Sequence, residues 1–366
     1  MTSKFSTPSL PQLGQFVLLL IWGGLFGAFA WWLTLPLPFM LGGLIGTMIL
    51  VSWGNRSGRV FYFPRILRMF FIGLIGSMIG STFSPDLMAT LPTIMSTLAV
   101  LTVHILILHF IGYHICRRIG RYDAVTAFYS AMPGGFIEAV ILGEKGGGNV
   151  QILTMSHFLR LCSVVILVPA FFYFYLGDAV GSAAGQSFET RPWQWSDLTI
   201  LLTITLVGLV MGRFLHIPAG HLLGPMLLAA ALFGTGVVSA SSPTWLLFAA
   251  QLVTGVGLGT QLTGARSSTL QQILAASALM IVIYLSFSVL AAYAVWELAE
   301  TRFDALFLSF APGGVTEMGL IALSLSLSPV LVSAHHVYRI FVTVFIAAVS
   351  TRWFRRSQDA LEKRAD

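Results

Sequence analysis

Apolar residues in this chain gather into long runs, with short polar clusters between them. Runs of about 18 residues or more recur from end to end, the length at which a helix can cross a bilayer. Gln15–Leu33 is the first, ended by Pro36 and Pro38. Phe39–Trp53 follows, carrying Gly42, Gly43 and Gly46. The loop Gly54–Arg68 holds Arg56, Arg59, Arg65 and Arg68. Phe70–Phe83 comes next, with Gly73, Gly76 and Gly80 spaced as a helix-packing face. Leu91–Cys116 is closed by Arg117, Arg118 and Arg121, and Val150–Tyr175 completes the first half. A polar, Gly/Ser/Ala-rich stretch then runs to Asp197. The second half repeats the order: Leu198–Leu215, a break at Ile217-Pro218, Leu222–Val238, a stretch containing Gly255 and Gly259, Leu274–Leu298 and Leu331–Phe354.

Between the last two long runs of each half lies a Pro-Gly-Gly segment. Pro133, Gly134, Gly135, Glu138, His157 and Arg160 recur as Pro312, Gly313, Gly314, Glu317, His336 and Arg339, each pair 179 positions apart. Six matches at one offset, inside apolar sequence, mark an internal duplication. The expected organisation is a membrane repeat over 1–176, a polar linker over 177–197, a second membrane repeat over 198–354 and a charged cytoplasmic tail over 355–366.

Composition sharpens the class. The chain is 56% hydrophobic and 9% charged, against roughly 25% charged in a soluble domain. It is therefore expected to be an all-α polytopic membrane protein; a β-barrel would alternate over strands of roughly 10 residues. The net charge of +6 sits in loops beside apolar runs, as the positive-inside rule requires, and is no nucleic-acid footprint. Lys4, the first run and Ala28-Phe29-Ala30 imitate a signal peptide, but the run continues through Trp31-Trp32-Leu33, so the span is expected to be retained.

Each Pro-Gly-Gly segment has arms of about ten apolar residues, too short to cross alone. If each arm pair enters and leaves on one side, the halves are inverted with five spans each. If each crosses, the halves are parallel with six. With the amino terminus inside, the five-span arrangement places Arg56–Arg68, Arg117–Arg121, Arg213, Arg266 and the tail in the cytoplasm, and Glu297 and Glu300 outside. Charge counting therefore favours inverted 5+5 over 6+6.

A helix broken at membrane depth leaves unpaired backbone groups, which are tolerated where they are buried in protein or line a cavity. In secondary transporters such breaks form the substrate site. The twelve repeated residues are accordingly the candidate substrate- or ion-binding set. His157/Arg160 and His336/Arg339 are i,i+3 pairs on one helix face. An arginine there needs a partner. On one reading Glu138 pairs with Arg160, and Glu317 with Arg339, only to hold the bundle. On the other the arginines and helix ends hold an anion while a glutamate or histidine carries a proton. The repeats differ: Glu144-Lys145 answers Leu323-Ser324, and Ser156 answers His335, so unequal contributions are expected. His104, His109 and His114, at intervals of five, do not align as a metal site. Cys116 and Cys162 fit no CxxC motif. No catalytic residues, cofactor or metal are expected, and no hydrolase or nucleotide motif is present.

The doubled Pro-Gly-Gly-x-x-Glu … His-x-x-Arg pattern, with a proline-glycine element opening each half, resembles the AbrB-type membrane family with its internal AbrB duplication, over nearly the whole chain. That family also carries an ammonia monooxygenase label. The resemblance implies a bacterial inner-membrane protein associated by name with gene regulation, similar in organisation to inverted-repeat transporters. The monooxygenase label fits a chain without a recognisable cofactor motif badly, so no enzyme is expected. Two functions stay open: a secondary transporter, with proton coupling as one option, of a small solute with anions among the candidates; and a membrane sensor or regulator acting through a partner. Expected partners are the lipid bilayer and the solute. A homo-oligomer is compatible with the sequence. Direct nucleic-acid binding is not expected, because the polar segments are too short for a DNA-binding domain.

Overall fold

The computed structural model describes residues 10–33, 35, 37–56, 61–83, 87–176, 191–216, 220–260, 267–299, 301–325 and 327–365. Expectations resting on Pro36, Arg59, linker residues 177–190, Ile217-Pro218, Arg266 and Glu300 lie outside them. Every regular element among the described residues is a helix. The first half holds α1 (Leu10–Trp32), α2 (Pro38–Arg56), α3 (Arg65–Gly80), α4 (Leu87–Arg118), α5 (Ala124–Ser130), α6 (Phe136–Lys145) and α7 (Val150–Leu176). The second holds α8 (Trp195–Phe214), α9 (Gly220–Gly234), α10 (Thr244–Gly259), α11 (Ser267–Val295), α12 (Phe303–Phe310), α13 (Val315–Ser324) and α14 (Pro329–Ala365).

Six of these are long and apolar enough to cross a membrane: α1, α4, α7, α8, α11 and α14. Shorter apolar helices, α2, α9 and α10, lie between them. Large apolar side chains face outward, among them Val210 (70% exposed), Phe214 (79%) and Phe345 (71%). In water such a surface would be an aggregation liability; here it meets lipid. The protein is a multi-pass helical membrane protein.

The helices sort into two bundles. One comprises α1, α2, α3, α8, α9 and α10; the other comprises α4 to α7 with α11 to α14. Within the first bundle each half gives its third helix to the other: α3 packs on α8 and α9, and α10 on α1 and α2. The glycine stripes explain the exchange. A Cβ at Gly76 would lie 2.5 Å from the Leu222 carbonyl oxygen, and one at Gly73 3.0 Å from that of His221. Gly80 meets the Met226 carbonyl in the same way, while Gly255 meets that of Met40 and Gly259 that of Leu44. Backbones approach this closely only without side chains between them. The order of contacts makes α3 parallel to α9, and α2 parallel to α10.

In the second bundle α4 and α11 run antiparallel, with Cys116 against Met280, Gly112 against Tyr284 and His104 against Ser288. Helices α4 and α14 run parallel: His335 Nε2 lies 2.8 Å from Thr97 Oγ1, and the Thr102 and Tyr338 hydroxyls 2.7 Å apart. The two bundles meet chiefly where α3 touches α13 and α14, and where α2 touches α7. The core of that junction is apolar, with Met40, Leu74 and Met78 in one buried cluster with Val165, Phe307 and Leu320.

Three expected boundaries shift. Helix α3 starts at Arg65, so Arg65 and Arg68 are helical and not part of a loop. Helix α8 starts at Trp195, inside the expected linker, because Asp197 anchors its first turn. The Arg191 guanidinium grips Asp197 at 2.6 and 2.8 Å, and the Gln194 N–H donates to Asp197 Oδ2 at 2.8 Å. The tail continues α14 as helix to Ala365. Replacing Asp197 with Ala removes both the first-turn acceptor and the ion pair, and is expected to cost about 1–2 kcal/mol. Thermal unfolding in detergent reads this directly; an unchanged midpoint would show that Asp197 does not anchor α8.

Candidate functional site

Each Pro-Gly-Gly segment breaks one helix into two short arms. In the first half α5 ends at Ser130, and α6 starts after Gly135, whose left-handed backbone (φ 63°, ψ 57°) turns the chain. Glycine adopts this conformation without steric cost. The arms then fold back on each other. A Cβ at Gly146, just past α6, would sit 3.3 Å from Val125 near the start of α5, and the Asn149 N–H donates to Thr126 Oγ1 at 2.8 Å. The first segment therefore enters and leaves at one level. In the second half α12 ends at Phe310, and Ala311 (φ −57°, ψ 138°) leads the chain out of helix into Pro312-Gly313-Gly314.

A break exposes carbonyls at the end of the first arm and N–H groups at the start of the second. The buried arginines answer the carbonyls. Arg160 Nη1 donates to the Met132 carbonyl. Arg339 Nη1 donates to the Ala311 carbonyl at 2.5 Å and to that of Phe310 at 3.4 Å, and its Nη2 donates to that of Gly313 at 2.8 Å. The histidines reach one turn further back: His157 Nε2 bonds the Tyr129 carbonyl, and His336 Nε2 that of Leu308, both at 2.9 Å. Tyr129 and Leu308, like Met132 and Ala311, stand 179 positions apart. A cation at a helix C-terminus also complements the helix dipole.

The glutamates lie at the other end of each break. Glu138 Oε2 lies 3.7 Å from where a Cβ of Gly135 would stand, and the Glu317 carboxylate folds onto Gly314 in the same manner. Each carboxylate thus sits at the N-terminus of its own second arm, where negative charge is favoured. Neither Arg160 nor Arg339 bonds a glutamate among the described residues, so the Glu138–Arg160 and Glu317–Arg339 pairs of the first reading are not formed; the arginines reach broken-helix carbonyls instead. Arg68 of α3 lies within electrostatic reach of Glu317, and its side chain lies across Gly257 of α10.

The two breaks are brought together. A Cβ at Gly134 would lie 3.2 Å from both Arg339 Cγ and Thr343 Oγ1, and one at Gly314 3.4 Å from Leu161 Cδ1. Each break therefore rests against the last long helix of the opposite half. Helix α11 ties both breaks: the Tyr284 hydroxyl donates to the Ala131 carbonyl at 2.7 Å, and the Ser288 hydroxyl to that of Phe310 at 3.1 Å. Of the twelve expected residues, Pro133, Gly134, His157, Arg160, Pro312, Glu317, His336 and Arg339 are buried, while Gly135, Glu138, Gly313 and Gly314 are half-buried. Sequence reasoning missed Arg68, Tyr284, Ser288 and Thr343. Polar positions within the apolar α11 run were the available signal for Tyr284 and Ser288.

The three α4 histidines separate as expected. His104 lies 3.3 Å from Ser288, His109 packs edge-on against Phe128, and His114 lies against Phe110 and Tyr113. Among the described residues no group of three His, Cys, Asp or Glu is arranged to hold a metal.

A family model described as "Transition state regulatory protein AbrB" matches residues 45–355. The chain is 25% identical over 312 residues to "Putative regulator AbrB" of Escherichia coli (strain K12), covering 84% of this chain and 87% of the relative. It is 23% identical over 284 residues to "Uncharacterized protein YhjN" of Bacillus subtilis (strain 168), covering 74% of each.

Proposed function

The chain belongs to the AbrB family, and we propose that it is a secondary transporter of a small solute in a bacterial inner membrane, built from two inverted repeats. Each repeat has five spans, with a broken Pro-Gly-Gly segment between the fourth and fifth. The antiparallel course of α4 and α11 supports inversion, since parallel repeats would run these counterparts in one direction. The shared 179-residue register of the histidine and arginine bonds supports the duplication.

One observation carries the transport reading: each break rests on the last long helix of the opposite half, with Arg339, the clamp of the second break, packed on the Gly134 break of the first. Discontinuous helices meeting at an internal site are the device by which transporters expose polar backbone to a solute. The apolar junction between bundles supplies a surface along which one can slide past the other, giving access from alternate sides. Glu138 and Glu317 are the proton or counter-ion carriers in this reading, and no enzyme chemistry is assigned. The second reading, a membrane sensor acting on gene expression through a partner, is favoured by the regulator name of the Escherichia coli relative.

Flux across a sealed bilayer separates the two. Purified protein in proteoliposomes is expected to carry at least one of a panel of ammonium, carboxylates, amino acids and inorganic anions saturably. A pH gradient is expected to drive accumulation that Glu317→Gln reduces at least about tenfold. No flux of any solute, with specific capture of a protein partner, would establish the sensor instead.

A further inference from the structure

The two arginine–histidine pairs occupy matching positions but are not used equally. In the second half the pair is closed. Arg339 spends both Nη atoms on three carbonyls and on His336 Nδ1, which leaves Nε alone without a hydrogen bond. In the first half it is open. Arg160, 5% exposed, makes its one hydrogen bond through Nη1 to Met132, and its Nε is buried without a partner. His157, fully buried, donates from Nε2 to the Tyr129 carbonyl and leaves Nδ1 unbonded. The neutral ring then presents a lone pair at Nδ1. His336 holds its lone pair at the same atom, where Arg339 donates to it.

Two buried atoms without a partner, Arg160 Nε and His157 Nδ1, thus belong to side chains one helical turn apart on one face of α7, at the break. The edge formed by Nε and Nη2 fits the two oxygens of a carboxylate. The bare Nδ1 requires a donor on the same ligand. An ammonium would bring a second cation beside Arg160; a hydroxyl donates without charge.

We propose that Arg160 and His157 form the solute-binding half of the site and accept a small monocarboxylate bearing a hydroxyl on the neighbouring carbon, while Arg339 and His336 serve as the fixed clamp of the second break. This assignment rests on the transporter reading for its place in a translocation path, but not for the binding it describes.

The test is equilibrium binding to the full-length protein in nanodiscs, with lactate and glycolate as probes against propionate, alanine, chloride and inorganic phosphate. Lactate and glycolate are expected to bind at least about tenfold more tightly than propionate, which leaves Nδ1 unpaired, and than alanine, which adds a cation. Arg160→Lys and His157→Gln are each expected to weaken lactate binding by about tenfold or more while propionate changes little in His157→Gln. If either variant fails to fold, the ranking of ligands on the wild-type protein decides alone. Equal binding of lactate, propionate and chloride would overturn the proposal, as would lactate binding that survives both substitutions. Lactate bound as described without flux would remove the transporter reading and leave this site standing. Flux of another solute, with no lactate binding, would do the reverse.

Discussion

Arg339→Ala is expected to lower the thermal stability of the purified protein far more than Arg160→Ala, although the two arginines hold matching positions. Removing Arg339 leaves the Gly313 carbonyl and His336 Nδ1 without their donor, and takes one of two donors from the carbonyls of Phe310 and Ala311, which keep the Ser288 hydroxyl and the Gly313 N–H. A buried polar group left unpaired costs about 1–3 kcal/mol. Relief of a buried positive charge offsets part of that. The net loss is expected to be on the order of 3 kcal/mol. Removing Arg160 strips one carbonyl, that of Met132, while the charge relief is similar, so the loss is expected to be about 1 kcal/mol or less. Melting curves of both variants in one detergent measure the difference. Equal losses would mean that the hydrogen-bond asymmetry does not hold in solution.

The second large effect lies in the other bundle. Gly76→Leu and Gly255→Leu are each expected to prevent recovery of monodisperse protein, or to cost about 3 kcal/mol or more. At both positions a Cβ would press on a helix carbonyl, that of Leu222 or of Met40, and neither can turn aside without breaking its own helix. Gly14→Leu is the matched control, since nothing lies within 4 Å of a Cβ there. Chromatographic yield and melting temperature report the outcome. Wild-type behaviour of both variants would show that α3 and α10 do not cross their partners at these glycines.

Much of this arrangement could be read from residue order. Long apolar runs located the helices, and Pro133-Gly134-Gly135 with Pro312-Gly313-Gly314 located both breaks, because proline and paired glycines act on the backbone locally. The glycines of α3 were recognisable as a packing face, but not their partner, which is nearly a hundred and fifty residues away in the chain. What remained hidden depended on competition between nearby acceptors. Arg160 and Arg339 had glutamates within the same motif, yet each found the carbonyls of its own broken helix, which no spacing argument could weigh against a carboxylate. Arg68 was assigned to a loop because its neighbours are arginines; hydropathy averages over a window and cannot see that its stem lies against Gly257, where a guanidinium is carried past an apolar surface on its methylenes.

The exchange of α3 and α10 between halves also sets a schedule for biogenesis. Helix α3 leaves the ribosome well before α9, whose carbonyls cover its glycine face. Gly80 and His221 are 141 positions apart, and synthesis at about 5–20 residues per second makes that wait roughly 7 to 28 s. During that interval α3 has its closest surface uncovered and Arg68 is without Gly257 beside it. The first half therefore inserts without being able to complete itself. A transcript truncated in the linker would yield a protein that still lacks half of its own packing, and the two halves made as separate chains would have to meet in the bilayer before either was finished.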